Sequence, residues 1–223
     1  MKAKETKKSQ QTKQLIYNTA IALFTEKGFD QTTMREIAKQ ANISLGLAYY
    51  HFRTKDDLVM KFYEATQKES LQACKEFFQQ ESKLQSKIQF ILKQKVKQFY
   101  PYRNFLHVLA NHASNPSHPL SPFSQETQQI RDDAIHIFSL ALQHSKDTLP
   151  KDLRTILPEL LWLYQLGIIY FWLVDGSEEK RKTDALIDES LKLLFSLLKL
   201  ANLPLMGKAR KLIVSIYSEI KEV

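Results

Sequence analysis

Residues 24–58 read FTEKGFDQTTMREIAKQANISLGLAYYHFRTKDDL, and this stretch decides the fold. Thr33-Met34-Arg35-Glu36 is a capping box: the Thr33 hydroxyl can accept from the Glu36 N–H, and the Glu36 carboxylate can accept from the Thr33 N–H. The box predicts a short helix from Met34 to about Gln40, with Ile37, Ala38 and Ala41 on its inner edge. Asn42 sits where the chain must turn, and asparagine tolerates the left-handed region. Ser44 is a second N-cap, opening a helix from Leu45 to His51. Two short helices joined by a turn of about four residues make a helix-turn-helix. Thr54 then caps a long helix whose first turn holds Asp56 and Asp57, where carboxylates suit the dipole.

Working outward, Leu15, Ile16, Ala20, Leu23 and Phe24 recur at three- and four-residue steps, one apolar helical stripe that Gly28 can end. Residues 1–13 are rich in Lys, Gln, Thr and Ser, which predicts a flexible basic arm. Downstream, Leu58, Phe62, Ala65, Leu71, Phe77 and Phe78 extend the Thr54-capped helix to about residue 80. Further helices are expected at Lys87–Leu109 with a break near Pro101, then at Gln125–His144, Leu153–Val174, Asp184–Ala201 and Leu205–Glu222. Pro116, Pro119 and Pro122 mark residues 113–124 as a loop. No strand pattern survives, so the fold class is all-α. A helix-turn-helix head at residues 14–60 precedes a larger helical body at residues 61–223.

The composition of the 223 residues narrows the function. Hydrophobic residues make up 43% of the chain, enough to build a core. Five glycines leave no Gly-rich phosphate loop, and one cysteine leaves no disulfide framework or Cys-based zinc finger. No apolar leader follows the lysine-rich start, and a cytoplasmic location is expected. The most apolar run, Leu160–Val174, would span about 23 Å as a helix, short of the ~30 Å bilayer core. It reads as a buried helix, with no membrane partner. No nucleophile elbow or His-Glu-x-x-His appears. No enzymatic activity, cofactor or metal is expected; Cys74 reads as a small buried hydrophobe, and His112 and His118 make no metal claim.

The quoted stretch closely resembles the DNA-binding head of TetR-family transcriptional regulators. The resemblance lies in the Gly-Phe at 28–29, Thr32-Thr33, the Ile37-Ala38 pair and Ser44-x-Gly46. Tyr49-x-His51-Phe52 and Lys55 complete it. It covers about residues 10–60, roughly a quarter of the chain; the remainder is similar to the family in size and helicity. It implies a homodimer with two three-helix heads, each placing its third helix in a major groove of a double-stranded DNA operator. It also implies a body that binds a small inducer and dimerises through its last helices. In that family the residues matching Tyr49, Tyr50, His51 and Lys55 touch DNA.

The residues themselves support such contacts. Free N–H groups at a helix N-terminus bind phosphate, so Thr33 and Ser44 can cap and contact with one group. Arg35 can reach a phosphate or a guanine edge, or remain a solvated surface cation. Tyr49 can contact DNA while part of its ring packs. Phe52 has the spacing of a core anchor. Gly46 inside a short helix costs about 1 kcal/mol against alanine, a cost that close approach to DNA or to a neighbouring helix would offset. Leu45 and Leu47 either meet thymine methyls or pack inside the head; Ala48 stands where the family commonly carries a larger apolar residue, which Leu47 would then replace.

In the body, Phe78, Phe105, Phe138 and Trp162 belong to an aromatic set that reads as core or, given the family, as the lining of an effector pocket. Gln165 and His107 lie among apolar neighbours and can hydrogen-bond a ligand or be satisfied core or interface groups. The expected effector is a largely apolar small molecule. Leu153–Val174 and Asp184–Ala201 are apolar around much of their circumference, as helices at a homodimer interface are; Leu191, Leu194, Phe195, Leu198 and Leu200 would supply core or interface.

The formal charge of +8 divides unevenly. Residues 1–13 contribute +4, residues 14–60 are neutral with five basic and five acidic side chains, and residues 61–223 contribute +4. Bulk charge therefore does not identify the partner. The alternative reading is a nonspecific basic protein that uses the lysine-rich arm on nucleic acid or a membrane surface.

Overall fold

The computed structural model describes residues 6–221. Among them are ten α-helices and no strand: α1 (Lys7–Lys27), α2 (Met34–Gln40), α3 (Leu45–His51), α4 (Lys55–Gln80), α5 (Leu84–Phe99), α6 (Arg103–Ala113), α7 (Gln128–Gln143), α8 (Lys151–Val174), α9 (Arg181–Ala201) and α10 (Gly207–Lys221). The break expected near Pro101 is a 3-10 turn at Tyr100–Tyr102. Part of the last expected helix, Glu222, lies outside the described residues.

The helices form two compact units, residues 1–67 with 99–131, and residues 68–98 with 132–223. A boundary at residue 60 does not describe this division, because α6 belongs with the head helices. The cause is an aromatic cluster. Phe105 stacks on Phe24 at 5.3 Å and meets Phe62 edge-on at 5.4 Å. Phe62 also meets Tyr102 at 5.1 Å and Phe99 at 6.1 Å. The proline-rich loop is closed by side-chain bonds: Thr127 donates to the Ser121 carbonyl at 2.6 Å, and Arg131 to the Pro122 carbonyl at 2.8 Å.

The expected arm differs from the structure. Residues 1–5 lie outside the described residues, but α1 already begins at Lys7, where Thr6 caps it by accepting from the Ser9 N–H at 3.3 Å. Lysine and glutamine are good helix formers, so a polar stretch with a cap extends the helix that follows it. Ile16, Ala20, Leu23 and Phe24 are buried as the stripe predicts, whereas Leu15 is 46% exposed. Gly28 ends α1 at φ 90°, its N–H donating to the Phe24 carbonyl at 3.0 Å.

In the second unit α8 supplies a core edge of Leu161, Gln165, Ile168 and Trp172, spaced four, three and four apart. By length and composition α8 could cross a bilayer, yet half of its most apolar window is buried within the protein. Asp175 ends α8 and accepts from Thr183 N–H and Oγ1 at 2.9 and 2.7 Å and from Ser177 N–H and Oγ at 2.8 and 2.6 Å. Burial alone would raise this carboxyl, but those bonds outweigh it and hold it far below the usual carboxylate range. The same residues therefore fix the turn into α9.

Two lysines are buried here. Lys87 donates to the His144 carbonyl at the end of α7, a cation at a helix C-terminus. Lys95 donates to Ser70 Oγ at 2.7 Å and Gln98 Oε1 at 3.1 Å, beside buried Cys74. Burial pushes Lys95 down to about 8 and the Cys74 thiol up to about 12. A lysine with a lowered folded pKa binds its proton more weakly folded than unfolded. Lys95 therefore contributes stability that grows as pH rises from about 8 to 10.5, while the raised Cys74 thiol contributes in the opposite sense above about 9. Lys95→Met should reduce that gain, most clearly between about pH 8 and 9, in chemical denaturation; an unchanged slope there would contradict the assignment.

Candidate functional site

The head presents one short helix on a second. The capping box at Thr33 forms as the sequence predicts, with Glu36 N–H to Thr33 Oγ1 at 3.2 Å and Thr33 N–H to Glu36 Oε2 at 3.3 Å. Glu36 also accepts from Lys27 at 2.8 Å, and hydrogen bonds first from Lys27 and then from the Thr33 N–H lower its carboxyl. Asn42 takes φ 52°, the left-handed turn between α2 and α3, and the Ile43 N–H returns to the Ala38 carbonyl at 3.0 Å. Ser44 caps α3 by accepting from the Leu47 N–H at 3.2 Å. Thr54 and Asp57 cap α4 reciprocally, with Asp57 N–H to Thr54 Oγ1 at 3.2 Å and Thr54 N–H to Asp57 Oδ2 at 3.0 Å.

Helix α3 buries a single edge. Ala48 is fully buried and Phe52, just past the helix, is 4% exposed. Four residues apart, they lie on one side, and the opposite side centres on Gly46 and Tyr50. Tyr50 is 78% exposed, and Tyr49 and Leu47 are exposed beside it. Leu47 therefore does not fill the space beside Ala48; the small side chain lets the two helices approach closely. A Cβ placed on Gly46 would meet nothing within 4 Å. Among the described residues, no neighbouring helix comes close enough to require that glycine.

Thr33, Arg35 and Ser44 are exposed, and Leu45 and His51 are partly buried. The His51 ring meets Tyr50 edge-on at 5.1 Å, which steadies the end of the helix. Lys55 differs from the free surface cation that a DNA contact suggests. Its ammonium donates to the Phe29 carbonyl at 2.6 Å and lies 4.3 Å from the centre of the Phe29 ring. Burial lowers its pKa, with Asp30 and Asp56 opposing. Lys55 thus ties the start of α4 to the loop before α2, a contact across 26 residues that local sequence cannot reveal. Arg53, which the sequence reading passed over, is exposed immediately after α3. Its position beside the Tyr-x-His-Phe ending was the available signal.

The expected effector residues separate. Phe78, Phe138 and Trp162 share the core of the second unit, and Gln165 is buried on α8. Phe105 belongs to the aromatic cluster of the first unit. His107 is exposed, not set among the apolar residues that flank it in sequence, because α6 turns Phe105, Leu106 and Leu109 inward instead. Trp172, of the same aromatic set, is fully buried, and its indole N–H has no hydrogen-bond partner among the described residues. A cavity of about 250 Å³ lies between α4 and α7, lined by Lys75, Phe78, Gln79, Leu140 and His144.

Two family models match the chain. The model for bacterial regulatory proteins of the tetR family covers residues 16–61, and the model for the tetracyclin repressor-like C-terminal domain covers residues 87–212. The chain belongs to the TetR family. Among curated relatives, the HTH-type transcriptional regulator AcrR of Shigella flexneri is 36% identical over 67 residues, 30% of this chain and 31% of that protein. The biofilm operon icaADBC HTH-type negative transcriptional regulator IcaR of Staphylococcus epidermidis is 42% identical over 52 residues, 23% of this chain and 28% of that protein. The match spans less than a third of either relative's length. Among solved structures, the Thermus thermophilus repressor FadR in complex with lauroyl-CoA aligns over 82% of this chain and 93% of its own, with TM-score 0.61 and 17% identity. Bacillus subtilis FadR in complex with stearoyl-CoA aligns over 81% and 96%, with TM-score 0.62 and 18% identity. At these identities the likeness is one of fold.

The open space at Gly46 gives a direct stability test. Gly46→Ala should stabilise the TetR-family head by up to about 1 kcal/mol, since alanine adds helix propensity and meets no obstacle. A loss of stability on thermal unfolding would show that the glycine is needed by the fold itself.

Proposed function

We propose that this chain is a sequence-specific DNA-binding transcriptional regulator, a repressor that leaves its operator when a small molecule binds. The observation that carries the reading is the outward face of α3, where an unobstructed glycine lies beside three exposed apolar or aromatic side chains. Thr33 and Ser44 offer helix N-termini to phosphates, while Leu47, Tyr49 and Tyr50 meet base edges or sugars through the space that Gly46 leaves. Arg35 and Arg53 add phosphate contacts, and Lys55 supports the geometry as much as it contacts DNA. Family membership supports this reading over a nonspecific basic protein. So does a neutral head, which offers a patterned surface rather than a charged one.

The regulator acts as a homodimer through α8 and α9 in the cytoplasm. Leu191, Phe195 and Leu198 are core, but Leu186, Leu193, Leu197 and Leu200 are 36–62% exposed on one stripe of α9. Leu163, Tyr170 and Val174 form a second stripe on the C-terminal half of α8. That much contiguous apolar surface is characteristic of an interface between copies. The effector is a largely apolar molecule held within the helical body, consistent with the acyl-CoA ligands of the two FadR structures. Its binding shifts the pair of heads toward a spacing unsuited to successive major grooves.

Footprinting on DNA upstream of the protein's own gene, with random DNA as competitor, tests the reading. Protection should survive the competitor. Tyr50→Ala should weaken binding at least about tenfold, and Gly46→Ala should weaken it despite raising stability. Equal affinity for random DNA would refute sequence specificity. Leu193→Glu with Leu197→Glu should leave a folded single chain in light scattering; a dimer that survives this change would remove α9 from the interface.

A further inference from the structure

Helix α10 carries apolar side chains on two opposite sides. Its inner edge faces α8: Arg210 Nε donates to Asp152 at 3.2 Å, the Tyr217 hydroxyl donates to Glu159, and Val214 and Tyr217 pack on the core. The outer edge has no such partner among the described residues. Leu205, Leu212, Ile213 and Ile216 are 92, 62, 48 and 49% exposed. A helix that only caps a bundle needs polar residues there. Leucine and isoleucine in those positions expose apolar area that water disfavours.

The pattern identifies what covers this edge. Within the helix, positions 209, 212 and 216 are spaced three and four apart, the seam by which one helix packs along another, and Leu205 lies in the 3-10 turn just before it. Exposed Ala209 within the seam allows close approach. Beside the seam, exposed Lys208 lies in the N-terminal half and exposed Glu219 in the C-terminal half. Two α10 helices laid antiparallel about an axis near Val214 set Leu212 of one against Ile216 of the other. The same arrangement brings Lys208 of each toward Glu219 of the other and opposes the helix dipoles. A lipid surface would favour cations along the whole border, and Glu219 interrupts it. The partner that this charge order fits is a second copy of α10.

We propose that α10 is a second self-association surface, through which two dimers of this chain join by an antiparallel α10–α10 contact. This rests on the dimer formed by α8 and α9. A helix of about 22 Å covers less than the roughly 800 Å² per partner of a stable interface, so the contact is weak in solution. It gains strength where dimers are held side by side, as on adjacent DNA sites. The consequence is cooperative occupation of neighbouring operator sites.

Sedimentation velocity of the full chain from about 5 to about 200 µM tests it, a range chosen for a contact of sub-standard area. The wild type should move from two chains toward four as concentration rises. Ile213→Glu with Ile216→Glu should stay at two chains throughout. Lys208→Glu should weaken the four-chain state about three- to tenfold, and adding Glu219→Lys should restore it, an outcome that loss of folding cannot mimic. The proposal is overturned if the wild type stays at two chains, if the isoleucine variant still reaches four, or if the charge exchange restores nothing. A drop of the isoleucine variant to one chain would also overturn it, since α10 would then belong to the dimer itself. A wild type that is one chain at every concentration removes the α8–α9 dimer and this contact together.

Discussion

Helix α3 is seven residues long, too short to be stable alone, since an isolated helix needs about 12–15 residues to be even marginal in water. Everything the head presents outward depends on how that helix is held. The holding contacts are few: the Ser44 cap, the left-handed turn at Asn42, and the buried edge of Ala48 and Phe52. Because burial is confined to one edge, the remaining positions are turned to solvent together. Gly46, Leu47, Tyr49 and Tyr50 are exposed because their neighbours are buried. A larger residue at 48 would displace the whole outward face, although position 48 is itself buried.

How much of this could be read from the sequence depends on the range of each interaction. The Thr33 capping box, the Thr54 cap, the Asn42 turn and the Gly28 stop are made within four residues, and each lies where the sequence places it. Lys55 is the contrary case. Its family motif marks it as a DNA contact, while its bond to Phe29 crosses 26 residues and gives it a supporting role as well. The placement of α6 with the head was illegible for the same reason, because Phe105 meets Phe24 across 81 positions. The arm was misread on other grounds. A stretch poor in apolar residues cannot build a core, but it can still extend a helix that already has one.

The body shows the limit of hydrophobic periodicity. A leucine stripe predicts that a helix has an apolar side; it does not say whether the same chain or another copy covers it. On α9 the two cases interleave: Leu191, Phe195 and Leu198 are core, while Leu193, Leu197 and Leu200 face outward. Apolar side chains at two adjoining positions in each turn make a helix buried on one side and adhesive on the next. The exposed residues cannot be told from the buried ones by type, since both are mainly leucine. Only the placement of the neighbouring helices separates core from interface.

Charge and shape divide the work of recognition. Residues 14–60 carry no net charge, and the ion pair that joins α1 to α2, Lys27 with Glu36, serves the capping box rather than a partner. Attraction that depends on ionic strength must therefore draw on residues beyond this range, and α1 begins with Lys7 and Lys8 at the helix end where cations oppose the dipole. A helix end that is unfavourable for cations in the free protein becomes favourable beside phosphates, which supply the missing negative charge. Long-range attraction gathered at α1 brings the protein to any duplex. On the proposed reading, discrimination among duplexes would rest on an uncharged surface of two tyrosines, a leucine and a glycine, whose fit depends on shape more than on salt.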